Sequence, residues 1–425
     1  MLEKWVLRLG LAAAFAVSPN LIHAQSTAVE TLSETLTKSA QTQRTRLDFD
    51  GNIFSGSAWK KLIAEGKHAQ FFMIGEEHGI AENPKLAAAL YAEMANSGYE
   101  RLVIEVSPTM ATKLDTAASE DGMKGLRKLY AKPGGEPAFF GMKEEAEMLS
   151  AIRTTSSDEK PIFWGVDYEV LGDRQLIKAL TDMPKPAAAK TALAKLSAAS
   201  DASWAEYKKS GNILLVFSFG GDPNLVRAVR DAWPERDAAV SQILHTLEET
   251  LEINALYKNG KNWSSNARRA ALIRKNFIDH WKAARKQGHT PKLMAKLGSS
   301  HLVRGRSNTE AFDLGTLLPE LAAIVGGHTV SMLVLPGKGA PTAVLDPATL
   351  SYKAAPAKDG YAKGLGPLTA AAFGEGFTLI DLRPLRGTKG LRRSSTNRNL
   401  LRTIMGYDMM LVMSGSTASG SIKKQ

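Results

Sequence analysis

The chain has 425 residues, 44% hydrophobic and 23% charged, which suits one large α/β domain or two to three smaller ones and argues against wholesale disorder or a multi-span membrane protein. A formal net charge of +11 is consistent with attraction to anionic polymers or substrates, but no nucleic-acid motif accompanies it. The absence of cysteine excludes disulfides, thiolate chemistry and lipoprotein anchoring.

Residues 1–24 have the layout of a secretory signal: Lys4 and Arg8, a short apolar stretch from Leu9 to Val17, then Ile22-His23-Ala24 before Gln25. Cleavage after Ala24 is expected, because an apolar run of about ten residues is too short to cross roughly 30 Å of hydrocarbon. Residues 25–50 read as a linker or peripheral helix, with Val29, Leu32 and Leu36 at helical spacing. Ser57–Glu65 predicts a short helix capped by Ser57 and closed by Gly66. A strand over His68–Glu76 then runs into Gly75-Glu76-Glu77-His78-Gly79. A helix from Pro84 to a stop at Gly98 and a strand over Arg101–Val106 complete a β-α-β unit of parallel strands. Glu105 lies inside the apolar end of that strand, where a carboxylate is expensive to bury unless it is paired or ligates something.

Residues 109–154 read as helical pieces broken at Gly122 and at Pro133-Gly134-Gly135, followed by a strand over Pro161–Asp167. Three strands thus end in acids, and in a parallel sheet those ends share one rim, where open α/β folds build their sites. Residues 181–265 are expected to form a helical insertion capping that rim, so that 51–180 and 266–413 make up the α/β core. The fold class is α/β, with a central, mostly parallel sheet flanked by helices. The strand Lys292–Leu297 leads into a second Gly-x-x-His, Gly298-Ser299-Ser300-His301. After it come a helix over Asp313–Ala323 and a strand over Val330–Leu335, with His328 on the surface between them. Residues 337–374 read as surface loop, Phe377–Leu382 and Met409–Met413 as late strands, and 414–425 as a tail. The basic run Arg383, Arg386, Lys389, Arg392, Arg393, Arg398 and Arg402 reads as a solvated surface.

A histidine at one strand end, flanked by carboxylates and facing a second histidine, has two chemical uses. A carboxylate can orient an imidazole that takes a proton from water, which then attacks a carbonyl. Alternatively, two histidines and one or two acids can hold a metal ion and lower the pKa of its water. Period-2 alternation puts Glu76 and His78 on one face and Glu77 on the other. Arg304, close behind His301, is a candidate to hold a substrate carboxylate or oxyanion, and Asp167 is a second substrate-binding candidate. Ser299 and Ser300 lack a Gly-x-Ser-x-Gly elbow, and no phosphate-binding or dinucleotide fingerprint follows a strand.

Gly75-Glu76-Glu77-His78-Gly79, Ile104-Glu105, Gly165-Val166-Asp167, Gly298-Ser299-Ser300-His301 and Asp313-Leu314-Gly315 together resemble the superfamily of erythromycin esterase-like proteins, ChaN-like haem-binding proteins and the TraB/Tiki group. The resemblance spans about residues 68–325, with weaker echoes to Tyr407-Asp408, and Arg269 and Asn276 are similar to an Arg and an Asn of esterase-like members. It implies a parallel α/β core with a rim site. Esterase-like members would assign His78 as general base with Glu76 as its partner. Tiki-like members would assign His78, His301 and Glu105 to a divalent metal. ChaN-like members would bind haem without catalysis, through His, Tyr or Met in the absence of cysteine. The esterases place one more residue between Glu and His than this chain does, so either Glu76 or Glu77 is the functional acid. The expectation is an exported hydrolase of an ester, lactone or amide, periplasmic or secreted. It would act on a small-molecule or peptide substrate through His78, Glu76, Glu105 and His301, with Asp167, Arg269 and Arg304 on the substrate. It would have no nucleic-acid partner and, after signal cleavage, no stable membrane anchor.

Overall fold

A computed structural model describes residues 32–156, 160–286, 288–357, 362–393 and 397–422, so the signal-like segment 1–24 lies outside the described residues. The chain builds a nine-stranded sheet from β1 (Arg44–Phe49), β2 (Phe54–Ser55), β3 (Phe71–Glu76), β4 (Tyr99–Ile104), β5 (Phe163–Gly165), β6 (Lys292–Gly298), β7 (Thr329–Pro336), β10 (Gly376–Asp381) and β11 (Met409–Ser414). The spatial order is β2-β1-β10-β11-β7-β3-β6-β4-β5, while β8 (Pro341–Asp346) and β9 (Ser351–Pro356) form a separate hairpin. From β11 through β5 every neighbouring pair is parallel; only β1, β2 and β10 join antiparallel. This is the mostly parallel α/β sheet expected.

The run Phe71-Phe72-Met73-Ile74 is apolar without alternation because β3 is covered on both faces. Phe72 and Ile74 join Leu62 of α2 (Gly56–His68) and Leu86 and Leu90 of α3 (Glu82–Ala95). Phe71 and Met73 join Phe277 and Trp281 of α11 (Asn262–Lys286) and Leu318 of α13 (Leu314–Ile324) on the other face. Between β3 and β5 lie α4 (Pro108–Tyr130), kinked at Asp121 and Gly122, and α5 (Lys143–Thr155). Between β5 and α11, helices α6 (Asp173–Asp182), α7 (Ala187–Ser210), α8 (Phe217–Gly220), α9 (Pro223–Asp231) and α10 (Ala238–Lys258) build an apolar cluster of their own.

Several sequence expectations need correction. The β-α-β unit exists in sequence, but its strands are not neighbours: β6 enters between β3 and β4, because pairing follows the tertiary register rather than chain order. Gly66 does not close α2, which runs on to His68 and starts after Ser55, whose side chain makes no capping hydrogen bond; Gly66 instead lies against Met94, where a Cβ would collide with the sulfur. Helical residues 32–42 (α1) bury Leu36 and Ala40, and β1 follows with no alternation in its sequence strong enough to announce it. Residues 337–374 contain the β8–β9 hairpin, whose Ala343 receives the chain at Gly79. Gly79, at φ +91°, leaves no room there for a Cβ, which would meet the Ala343 carbonyl oxygen at 2.4 Å. The basic run is partly structural, since Arg383 pairs with Asp381 and Glu65, and Arg386 with Asp408.

Residues 415–422 pack back onto the fold rather than trailing away. Ala418 bridges to Ile80, Ser421 bridges to Met142, and Ile422 is buried. The Thr417 amide and hydroxyl both donate to the buried carboxylate of Glu82, the hydroxyl at 2.7 Å. Deleting residues 415–425 is therefore expected to lower stability by about 1–3 kcal/mol through that unsatisfied carboxylate alone, read from urea unfolding.

Candidate active site

The C-terminal ends of β3, β6, β4 and β5 are adjacent in the sheet, and each delivers polar groups to the same rim. The β3–β6 register sets Glu76 opposite Gly298, so the residues just beyond each strand, His78 and His301, face one another across a single carboxylate. That carboxylate is Glu105, immediately past β4. Its Oε2 lies 3.6 Å from His78 Nε2 and its Oε1 lies 3.4 Å from His301 Nε2. The Gly298 amide donates to Glu105 Oε2 at 2.6 Å. A Cβ on Gly298 would stand 3.0 Å from His78 Nε2, so the backbone there is part of the wall.

Each imidazole is oriented through its other nitrogen. His78 Nδ1 bonds to Glu76 Oε1 at 3.0 Å, and His301 Nδ1 bonds to Asp313 Oδ2 at 2.7 Å. Glu76, not Glu77, therefore carries the hydrogen bond, because β3 remains extended as far as Glu76. Phe139 stacks on the His78 ring at 4.0 Å, with 12° between the planes. Behind Glu76 stands Lys296, 0% exposed, bonded to Glu76 at 2.7 Å and to Glu145 of α5 at 2.6 Å. Asn83 donates to the remaining oxygen of Glu76. Arg269 of α11 donates to Glu105 at 2.7 Å and grips Asp167 beyond β5, with its guanidinium over Tyr168. Asn276, two turns further along α11, donates to the Val166 carbonyl at 2.9 Å and so fixes the segment that carries Asp167.

The charges follow from burial and pairing. Burial pushes Glu76 up, but Lys296 and His78 outweigh it and draw its pKa down to about 2. Burial likewise opposes ionisation of Glu105, and His301, His78 and Arg269 hold it well below the usual carboxylate range. His301 is raised to about 10: burial disfavours its cation, but Glu105 and Asp313 prevail over both burial and the nearby Arg269. His78 is also raised, as the hydrogen bond and charge of Glu76 overcome burial. Asp167 is raised by burial despite Arg269. Near neutral pH the rim thus holds an imidazolium at His301, and a histidine at His78 whose Nδ1–H is committed to Glu76. The nitrogen left to accept a proton is His78 Nε2.

Glu145 bears the remaining burial cost. One lysine serves two carboxylates, and burial raises Glu145 to about 7, while its Oε2 is buried without a hydrogen-bond partner. Its folded pKa lies above its unfolded value, so its contribution to stability is full below about 4.5 and is lost as pH rises through about 7. Glu145→Gln keeps an acceptor for Lys296 and removes this titration. The variant is expected to show a smaller fall in Tm from pH 5 to pH 8 than the parent, measured by thermal unfolding.

Of the sequence candidates, His78, Glu76, Glu105, His301, Asp167 and Arg269 come together. Arg304 does not join them: its guanidinium pairs with Asp408 and Ser331, tying the turn after α12 (Ser299–Leu302) to β11. Sequence reasoning missed Lys296, although a charge within Leu293-Met294-Ala295-Lys296-Leu297 carries the same signal as Glu105 in its strand. It also missed Glu145, Asn83 and Phe139, for which no local pattern exists. The set His78, His301 and Glu105 does not fit a divalent metal as placed, because the Arg269 guanidinium donates to Glu105 at 2.7 Å and would repel a dication. No group of three His, Asp or Glu residues among the described residues is arranged to hold an ion. Haem ligation has no better fit, since Phe139 stacks on a face of His78 at 4.0 Å.

No family model matches the chain, and no curated protein does. Solved structures do share its architecture, each at 14% identity. One is a Bacillus cereus protein, at TM-score 0.52 over 92% of this chain and 99% of that one. A second is a succinoglycan biosynthesis protein, at TM-score 0.56 over 92% of this chain and 99% of that one. A third is a mutant of the erythromycin esterase EreC in its open conformation, at TM-score 0.59 over 89% of this chain and 98% of that one. At this level of identity the likeness concerns the fold, and the fold of this chain is erythromycin esterase-like.

Proposed function

We propose that the chain is an exported hydrolase of an ester, lactone or amide bond, with His78 as a general base that works without a metal. The observation that carries this reading is the pairing of orientations: Glu76 takes the Nδ1–H of His78 and leaves Nε2 as a proton acceptor, while Asp313 on Nδ1 and Glu105 near Nε2 favour the cation of His301 beside it. In the reaction, Nε2 of His78 removes a proton from water as the water oxygen bonds to the carbonyl carbon. The carbonyl electrons move to oxygen, and the charge of the neighbouring His301 imidazolium stabilises them there. Collapse of that adduct breaks the bond to the leaving group, which takes the proton back from His78. Glu105 and Arg269 hold His301 and each other in place, and Asp167 fixes Arg269.

The substrate is a small molecule or peptide, and the compartment is the periplasm or exterior, supported by the signal-like residues 1–24. The intact mass of the exported protein checks the second point: loss of 1–24 is expected, and a retained Met1 would overturn export by this route. For activity, the purified chain is assayed on aryl esters, lactones and peptides with and without a chelator. Hydrolysis that is insensitive to the chelator is expected. No turnover of any substrate overturns the enzymatic reading, and activity lost to a chelator and restored by a metal overturns the metal-free mechanism.

A further inference from the structure

Away from the two histidines, a cavity of about 260 Å³ opens between α6, α7, the 130–137 segment and the β8–β9 hairpin. Its size is just below the range usual for small-molecule sites, so it suits only a compact ligand. Pro133, Pro137, Leu171, Leu345 and Leu350 give it apolar walls. Three cations line it, Lys132, Arg174 and Lys208, against one carboxylate, Glu136. None of the three cations has an ion pair or hydrogen bond from its side chain among the described contacts.

Arg174 is the informative member. Its guanidinium lies over the Trp204 ring at 4.0 Å, and its Nε is buried without a hydrogen-bond partner. Trp204 is itself fixed, since its indole N–H donates to Asp173 at 3.0 Å and Ser200 donates to the same carboxylate at 2.6 Å. Asp173 accepts from Trp204 and Ser200; it and Asp201 act on Arg174 through their charge, but neither accepts a hydrogen bond from it, and its Nε stays without an acceptor. A buried guanidinium N–H with no acceptor is costly, even with carboxylates near it, unless something accepts from it. The Tyr352 hydroxyl, across the cavity, accepts from the Phe139 amide at 2.9 Å and retains its own proton for an acceptor.

We infer that this cavity is a recognition site for a small amphiphilic anion, a carboxylate or phosphate carried on a compact apolar or aromatic body. The anionic group meets Arg174 and the lysines, and the body meets the proline and leucine walls. Planar, forked donation to a two-oxygen anion is what an oriented guanidinium does best. The 130–137 segment that lines the cavity leads directly to Phe139, which stacks on His78 and whose amide donates to Tyr352 of the cavity.

Isothermal titration of the full chain with benzoate, phenyl phosphate and neutral benzamide tests this. Saturable binding of at least one anion is expected, with benzamide at least tenfold weaker. Arg174→Gln should weaken anion binding by about tenfold or more, as loss of a charge-assisted hydrogen bond predicts, and Arg174→Lys should weaken it less because the charge remains. The inference is overturned if neither anion saturates, if benzamide binds as well as benzoate, or if Arg174→Gln binds undiminished while retaining the parent's thermal unfolding. None of these readings requires hydrolysis at His78, so failure of the proposed reaction leaves the test intact.

Discussion

His78→Ala is expected to lower kcat for ester or lactone hydrolysis by about 10²–10⁴-fold, the usual contribution of a positioned general base, with little change in stability. The ring is partly exposed, at 22%, and its loss removes a hydrogen bond from Glu76, which keeps Lys296 and Asn83 as partners. The pH profile carries the same information. His78 must be neutral to accept a proton, and its pKa is raised above the ordinary imidazole value of 6.5, so activity should climb with pH along a limb lying above that value. His301 must stay protonated, so a second limb should fall near pH 10. Glu76→Gln removes the charge that raises His78 and should move the acidic limb downward while kcat falls. Initial rates from pH 5 to 11 for the three proteins decide the matter. An unshifted acidic limb in Glu76→Gln would show that Glu76 does not set the base.

Lys296→Met is expected to destabilise the protein by about 3–5 kcal/mol at pH 8, the loss that follows when one partner leaves a buried charge network. Without the ammonium, Glu76 and Glu145 are two carboxylates in an apolar interior. Both would be driven to protonate, so the deficit should shrink as pH falls toward 5. Adding Glu145→Gln removes one of the two stranded charges and should recover part of the loss. Urea unfolding of the single and double variants at pH 5 and 8 measures both effects. A Lys296→Met variant as stable as its parent at pH 8 would show that this lysine is not the counter-ion of the site.

The sites most readable in the sequence were those with a local physical signature. An apolar run that stops at Gly-Glu-Glu-His is a buried strand reaching the edge of its sheet, and Glu105 and Asp167 stand out because an acid ending an apolar segment needs a partner. In the sequence Asp313 reads only as the first residue of a helix and within Asp313-Leu314-Gly315; the structure sets it just before α13, where its carboxylate accepts from the Leu314 amide as well as from His301. Arg304 was misjudged because proximity in sequence to His301 says nothing of direction: the short helix α12 and the turn after it carry its side chain toward Asp408. The hairpin Pro341–Pro356 escaped notice because its strands mix Ala, Pro, Lys and Tyr without a clear period and are stabilised by mutual pairing.

Hydrophobic periodicity and strand-end chemistry are local, and by themselves they determined the α/β class, the rim of strand ends and the residues that reach it. Which strands are neighbours is not local. Only the tertiary structure put β6 between β3 and β4, bringing His301 opposite His78 across Glu105, and only it set Lys296 between Glu76 and Glu145. The reason is that parallel pairing and buried ion pairing are settled between segments 151 to 222 residues apart, by register and by the need to neutralise charge out of water.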